Sequence, residues 1–371
     1  MLAQQERQLA RLRTAMPGAL PAARPRLERL GVAIEDQVAG LRALLERVGL
    51  PVLPLPKVAP RFNPLMGYMQ LLRDWAWPDD VQNRVAAEAM IEAAGSWSQW
   101  RNVLVLGAGA GGLACDLHAQ TLATETVALD INPLPLLVCD QLCQGNPVEL
   151  WEFPAHPSRG DGWAIKHALR NPSRPEGLTP WLADALALPF VSGSFDAVVT
   201  HWFQDRVGRD PTTVASIVHR LLRPGGVWLN RGPLLYEASR DWVGRPDIDE
   251  ALAWVRALGF EPSDHHSERV DYLCSPWSTQ RRREVVHTFA ARRPASVAWL
   301  DDDDAGVPAA VRSGTDASDP ITAWCAAQLD GVHSVAMLAR RIRERATLPF
   351  AAAREGVRER LHRAWALARV S

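Results

Sequence analysis

Lysine is almost missing from this chain. Of 41 basic residues only Lys57 and Lys166 are lysine, a bias that reflects a high-GC bacterial genome more than a function. Neither sign of charge prevails: 41 basic residues face 42 acidic ones, for a net charge of −1. Binding to a nucleic-acid backbone as the main task is thereby disfavoured, and no nucleic-acid partner is expected. No apolar run approaches the length of a membrane span, and Met1-Leu2-Ala3-Gln4-Gln5-Glu6-Arg7 lacks an apolar signal core. The five cysteines (Cys115, Cys139, Cys143, Cys274, Cys325) are odd in number and contain no C-x-x-C pair, which argues against a disulfide framework and against a zinc site. A reducing cytoplasm is the expected location, with no membrane partner. His265-His266 has no Cys or carboxylate at ligand spacing, so no metal is expected. What remains is an ordinary globular composition, 47% hydrophobic and 22% charged, in 371 residues. That length suffices for about two or three domains.

The most informative stretch is Arg101-Asn102-Val103-Leu104-Val105-Leu106-Gly107-Ala108-Gly109-Ala110-Gly111-Gly112-Leu113. Four apolar residues in a row read as a strand buried on both faces. The glycines turn the chain tightly, and a helix starts at Leu113 to His118. Gly107, Gly109 and Gly112 satisfy G-x-G-x-x-G, which suits a nicotinamide-dependent oxidoreductase as well as a methyltransferase. Glycine is needed where backbone must approach a ligand or adopt positive φ.

The strands that follow supply carboxylates. Thr126-Val127-Ala128-Leu129-Asp130 ends in an acid 23 positions after Gly107. Such an acid can accept both hydroxyls of a ribose, which NAD and S-adenosyl-L-methionine (SAM) share. The region Trp181–Phe190 brings Asp184 to a strand end, where it can accept an adenine amino group. Ser194–Thr200 reads as a fourth strand, running into His201-Trp202-Phe203-Gln204-Asp205. A helix with Val214, Ile217, Val218, Leu221 and Leu222 is closed by Arg223-Pro224-Gly225-Gly226 before strand Val227–Asn230. A helix, a Pro-Gly-Gly turn and a strand in this order resemble the class I SAM-dependent methyltransferases. The expected fold is therefore α/β, a Rossmann-like, mostly parallel seven-stranded sheet.

Outside this core the chain reads as helical. Residues 1–60 form an N-terminal helical region and connector, with Ile34, Val38, Leu41, Leu45 and Val48 in one stripe. That stripe packs on the main domain or pairs two copies into a homodimer. Residues 61–294 form the methyltransferase domain. Residues 295–320, opened by Asp301–Asp304, read as a solvated linker. Residues 321–371 regain helical spacing at Val335, Leu338, Ile342, Val357, Leu361 and Trp365. The phrase Leu329–Ser334 resembles small winged-helix modules of peptide-modifying enzymes.

A closer resemblance covers about residues 65–294. Leu72-Arg73-Asp74-Trp75, Val103–Gly109, Trp202-Phe203-Gln204-Asp205 and the run Leu221–Tyr236, with Gly232-Pro233-Leu234-Leu235-Tyr236, are similar to the carnosine N-methyltransferase family. Tyr272 through Pro294 follows that family's closing strand pair. The resemblance implies SAM as cofactor and a histidine-containing small molecule or peptide, methylated on its imidazole. It implies Arg73 at the methionine carboxylate, Gly107 and Gly109 against the cofactor, Asp130 at the ribose and Asp184 on the adenine side. Asp205 corresponds to an acid that bonds the substrate imidazole, and Tyr272 to a tyrosine of the substrate pocket.

The departures fall on the substrate side. Glu237 stands where the family has His, and Ser275 where it has Asn. Asp130 replaces a Glu, which keeps the chemistry. Glu237 could orient the ring as Asp205 does, or pair with a cationic part of the substrate. His201, Trp202 and Tyr236 complete the expected substrate-binding set. A lone His such as His201 more often packs or hydrogen-bonds than acts as a base. With the substrate residues altered, a catalytically inactive fold used as a binding module stays open beside the enzyme readings.

Overall fold

The structure is a computed structural model and describes residues 1–48, 64–77, 82–171, 173, 175–207, 211–235, 246–294, 306–307, 320–329, 332–345 and 349–370. Along strand β1 (Asn102–Leu106) every residue after the first is buried. Its two faces feed different cores: Leu104 and Leu106 join one, Val103 and Val105 the other. This is the two-residue alternation of a strand covered by helices on both sides. Helices α4 (Gln82–Ala94) and α5 (Gly112–Gln120) cover one face through Ala86, Met90, Leu113 and Leu117. Helices α7 (Pro211–Leu221) and α8 (Ile248–Ala257) cover the other through Val214, Ile217, Val218, Leu221, Leu252 and Val255.

β1 pairs in parallel with β2 (Glu125–Asp130) on one side and β6 (Phe195–His201) on the other. β5 (Leu178–Leu182) adds to β2, and β7 (Leu222–Gly232) adds to β6, again in parallel. β10 (Arg283–Arg292) then runs antiparallel to β7 and carries β8 (Glu261–Pro262) and β9 (His266–Asp271). The order β5-β2-β1-β6-β7-β10-β8 contains seven strands, with β9 beside that path on β10. The Rossmann-like, mostly parallel sheet is thus in place. Two boundaries differ from expectation. The third strand is Leu178–Leu182, so Asp184 follows it. The Pro-Gly-Gly segment lies within β7, where Gly225 N–H donates to Arg293 O at 2.7 Å. A separate hairpin, β3 (Val148–Glu152) with β4 (Ile165–Leu169), has no counterpart in the sequence reading.

Helices α1 (Leu2–Ala15) and α2 (Arg24–Arg47) pack together, and α2 also packs on β3. The buried stripe of α2 is Ile34, Gln37, Leu41 and Leu44, rotated from the expected one. Gln37 turns inward because its Oε1 accepts the Trp151 N–H at 2.7 Å. The buried face packs within the chain, on α1 and β3, while Val38, Leu45 and Val48 of the expected stripe stay half-buried. At the other end, α9 (Pro320–Ala327), α10 (Val335–Arg345) and α11 (Phe350–Val370) share a core of Cys325, Val335, Leu338, Val357 and Leu361. α11 docks on α7 and α8: Arg220 meets Glu359 at 2.9 Å, and His362 Nε2 donates to Leu258 O at 2.8 Å. The connector at Gly49–Pro60 and the Asp301–Asp304 run lie outside the described residues. No helix among the described residues is long and apolar enough to cross a membrane.

Candidate active site

The chain adds β2 and β5 on one side of β1, then crosses to add β6 and β7 on the other. Open α/β sheets bind ligands outside the strand ends where the order reverses in this way. A cavity of about 530 Å³ opens there, lined by Gly107, Asp130, Asp184, Trp202, Asp205 and Tyr272 among others. Helix α3 (Pro64–Trp75) contributes Met66, Gly67 and Gln70 to its wall. Six of the expected site residues line the cavity, and Arg73, Gly109 and His201 lie around a small adjoining space. Tyr236 and Glu237 lie outside the described residues, although Leu235 just before them lines the cavity.

The half beyond β1 and β2 is built from backbone and acids. Gly107 and Gly109 have φ of 68° and 57°, a conformation that L side chains strain to adopt. A Cβ on Gly107 would come within 2.3 Å of the Phe203 ring. Asp130 caps β2 with one oxygen taking the Gly109 N–H and the other the Asn132 N–H, each at 2.8 Å. As a carboxylate it offers about four lone-pair sites, so acceptor capacity beyond these amides remains for a ribose hydroxyl. Burial pushes its carboxyl above the usual range. Asp184 lines the same half beside Ala183, Ala185 and Leu186, and its Oδ1 accepts the Leu186 N–H at 2.9 Å. These acids and this bare backbone fit the adenosine end of SAM.

Arg73 lies deeper, on α3, around a small adjoining space with Gly107, Gly109, His201 and Trp202. Its guanidinium pairs with Asp74 at 2.7–2.8 Å. Asp74 in turn accepts the Gly112 N–H at 3.0 Å and the Asn83 amide at 2.8 Å, while Trp75 Nε1 donates to Ala110 O at 2.8 Å. The Arg-Asp-Trp phrase therefore ties α3 to the glycine turn. The sequence reading passed over Asp74 because neither its side chain's direction nor its backbone partner 38 positions away is encoded in the spacing.

The other half lies past the end of β6. Burial, with Arg73 and Arg231 nearby, holds the His201 imidazole well below its usual value. Trp202 has φ of 54°, uncommon for a bulky residue and often seen at functional positions. Its ring stacks on Tyr272 with centroids 3.7 Å apart. Tyr272 is buried, its phenol pushed up by that burial, and Arg282 lies 5.1 Å over its ring. Asp205, in a 3-10 turn at Gln204–Arg206, accepts the Leu235 N–H at 3.2 Å. Burial raises its carboxyl to about 6. Glu284 and Arg282 also line the cavity and were missed. The one signal was a single acid after three arginines in Arg281–Glu284, and nothing in it says which way the side chain faces. Ser275 does not line the cavity. It is buried and donates to Glu152, which also takes Trp77 Nε1 at 3.0 Å and meets His167 Nε2 at 2.9 Å.

The family described as "Methyltransferase domain" matches residues 104–229, about a third of the chain, from β1 through most of β7. No curated protein matches the sequence. Among solved structures, the chain is similar to a phosphoethanolamine N-methyltransferase 2 from Haemonchus contortus, in complex with phosphomonomethylethanolamine and S-adenosylhomocysteine. That likeness has 16% identity, covers 65% of this chain and 62% of the other, and has a TM-score of 0.42. The N-methyltransferase NodS from Bradyrhizobium japonicum, in complex with S-adenosyl-L-homocysteine (SAH), is similar at 15% identity, with 62% and 100% of the chains covered and a TM-score of 0.37. A SAM-dependent methyltransferase from Methanosarcina mazei is similar at 14% identity, over 54% and 94% of the chains, with a TM-score of 0.36. Residues 104–229 of the Rossmann-like sheet thus match a methyltransferase domain, and SAM is the cofactor that this match indicates.

Proposed function

We propose that the chain is an N-methyltransferase acting on an imidazole or related nitrogen of a histidine-containing small molecule or peptide. SAM supplies an electrophilic methyl group, so the protein's task is to orient the acceptor, exclude water and take up a proton. Asp130 holds the ribose, Asp184 the adenine side, and Arg73 the carboxylate of the methionine part, while Gly107 and Gly109 leave room for it. On the acceptor side, Asp205 accepts one ring N–H. This fixes the tautomer and leaves the opposite nitrogen's lone pair bare for attack. Trp202 and Tyr272, stacked on each other, wall the acceptor's place, His201 adjoins it, and Tyr236 is a further candidate for contact with the ring. Glu237 is a second candidate for holding the ring or a charge beside it.

The observation that carries this reading is Asp205: a buried carboxylate at about 6, beside an aromatic stack, in the same cavity as Asp130. A carboxylate poised near neutrality can hold an N–H and take up a proton under ordinary conditions. The test offers isotope-labelled SAM with a panel of histidine-containing acceptors and reads methyl gain by mass spectrometry. Asp205→Asn should lower turnover by about 10²-fold, the scale for a positioned proton-handling group, with SAH affinity unchanged. Full activity of that variant on every acceptor found would remove the imidazole from the proposal.

A further inference from the structure

Glu284 stands apart from every role assigned above. It lies on β10 and lines the same cavity as Asp205, Trp202 and Tyr272, and its charge is felt at both Asp205 and Tyr272. The side chain is only 8% exposed. One oxygen pairs with Arg282 Nε, whose own side chain is 54% exposed. The other, Oε2, is buried without a hydrogen-bond partner among the described residues. Buried carboxylate oxygens are normally satisfied, because removal from water without a replacement donor is costly. The fold does not demand an acid here: β10 is held by its backbone ladders to β7 and β9. Glu284 lines the cavity while its Oε2 is covered and unpaired, so a small turn of the carboxyl would offer that oxygen to a donor that arrives with a ligand.

We propose that Glu284 is a specificity-determining residue that receives an ammonium or similar N–H donor of the methyl acceptor, separate from the nitrogen that is methylated. This rests on the reading that Asp205 holds an imidazole in the same cavity. Two carboxylates then divide the acceptor between them, Asp205 taking the ring N–H and Glu284 the cationic arm. The acceptor class narrows to imidazoles with a free amine, such as biogenic amines or dipeptides with an open N-terminus. Acceptors with the amine removed or acylated are disfavoured, since they leave Oε2 unsatisfied.

The experiment titrates three probes into the full-length protein saturated with SAH. Histamine carries ring and ammonium, 4-methylimidazole the ring alone, and 2-phenylethylamine the ammonium alone. Histamine should bind at least about tenfold more tightly than 4-methylimidazole, the worth of one hydrogen bond to a charged group. Glu284→Gln should erase most of that preference while SAH affinity, which also reports correct folding, stays unchanged. Equal binding of histamine and 4-methylimidazole by the unaltered protein would overturn the assignment whether or not the variant folds. A preference that survives Glu284→Gln would overturn it too. The two readings fail separately. If no imidazole is methylated but 2-phenylethylamine binds in a Glu284-dependent way, the imidazole falls and the ammonium site stands. If histamine is methylated with no dependence on Glu284, the reverse holds.

Discussion

Asp130 is where the loss of one side chain should be felt directly in cofactor affinity. Its two oxygens are already aligned by the Gly109 and Asn132 amides, so little freedom is lost when a diol binds. Asp130→Ala should weaken SAM by about 1–3 kcal/mol, the range for charge-assisted hydrogen bonds in a partly buried place. An unchanged calorimetric affinity would put the ribose elsewhere. Asp205 should announce itself through pH instead. Burial lifts its carboxyl to about 6, and the ionised form is the one that accepts a ring N–H. With acceptor protonation allowed for, kcat/KM should therefore rise with pH through about 6. That limb should be missing from whatever activity Asp205→Asn retains.

Among the elements, α3 depends most on a few polar contacts. Met66, Gly67 and Gln70 reach the cavity from it, while Arg73, Asp74 and Trp75 fasten it to the glycine turn. The Asp74 side chain is 1% exposed and balances a guanidinium that is 7% exposed. Removing one partner of such a pair strands the other's charge, at about 3–5 kcal/mol. Asp74→Ala should therefore lower thermal stability and loosen SAH binding together, because the freed Gly112 N–H opens the turn. Asp74→Asn keeps an acceptor for that N–H but cannot neutralise Arg73, and should fall between. Native-like stability and SAH affinity in both variants would mean that α3 is held by its apolar face alone.

At the scale of the whole molecule, the C-terminal helices are fused to the sheet through a buried histidine pair. The rings of His219 on α7 and His362 on α11 lie 4.3 Å apart. Burial holds both below their usual value, His219 well below and His362 at about 4, with Arg293 nearby opposing protonation of each. A depressed folded value means that the unfolded chain gains protons first as pH falls. The stabilisation is present above about 6.5 and is lost between there and about 4. Asp205, raised rather than lowered, works in the opposite direction between about 4 and 6 and offsets part of this. Urea unfolding should show net stability falling by on the order of 1–3 kcal/mol from pH 7 to pH 5. His362→Gln, which can keep a donor to Leu258 O, should flatten that dependence. An equally steep curve in the variant would assign the acid sensitivity to other groups.

Much of this molecule is determined by local pattern. The β1 run, the glycine turn and the acid ending β2 are read at short range, since a strand's burial, a turn's φ and a strand-end carboxylate are properties of neighbouring residues. The apolar spacings of α7, α10 and α11 likewise correspond to buried faces. Other features needed the assembled fold. Gln37 turns inward only because the Trp151 amide waits 114 positions away. Asp74 matters through Gly112, and Ser275 through Glu152 rather than through the cavity. Glu284 is one charge in a basic run until β10 pairs with β7 and β9 and turns it toward Asp205's cavity. The cavity wall at Gly107 and Asp130 was legible because one continuous stretch, β1 through β2, builds it. The rest of the cavity wall draws on the ends of β6 and β7, the turn after β9 and the start of β10, and only tertiary packing brings those segments together.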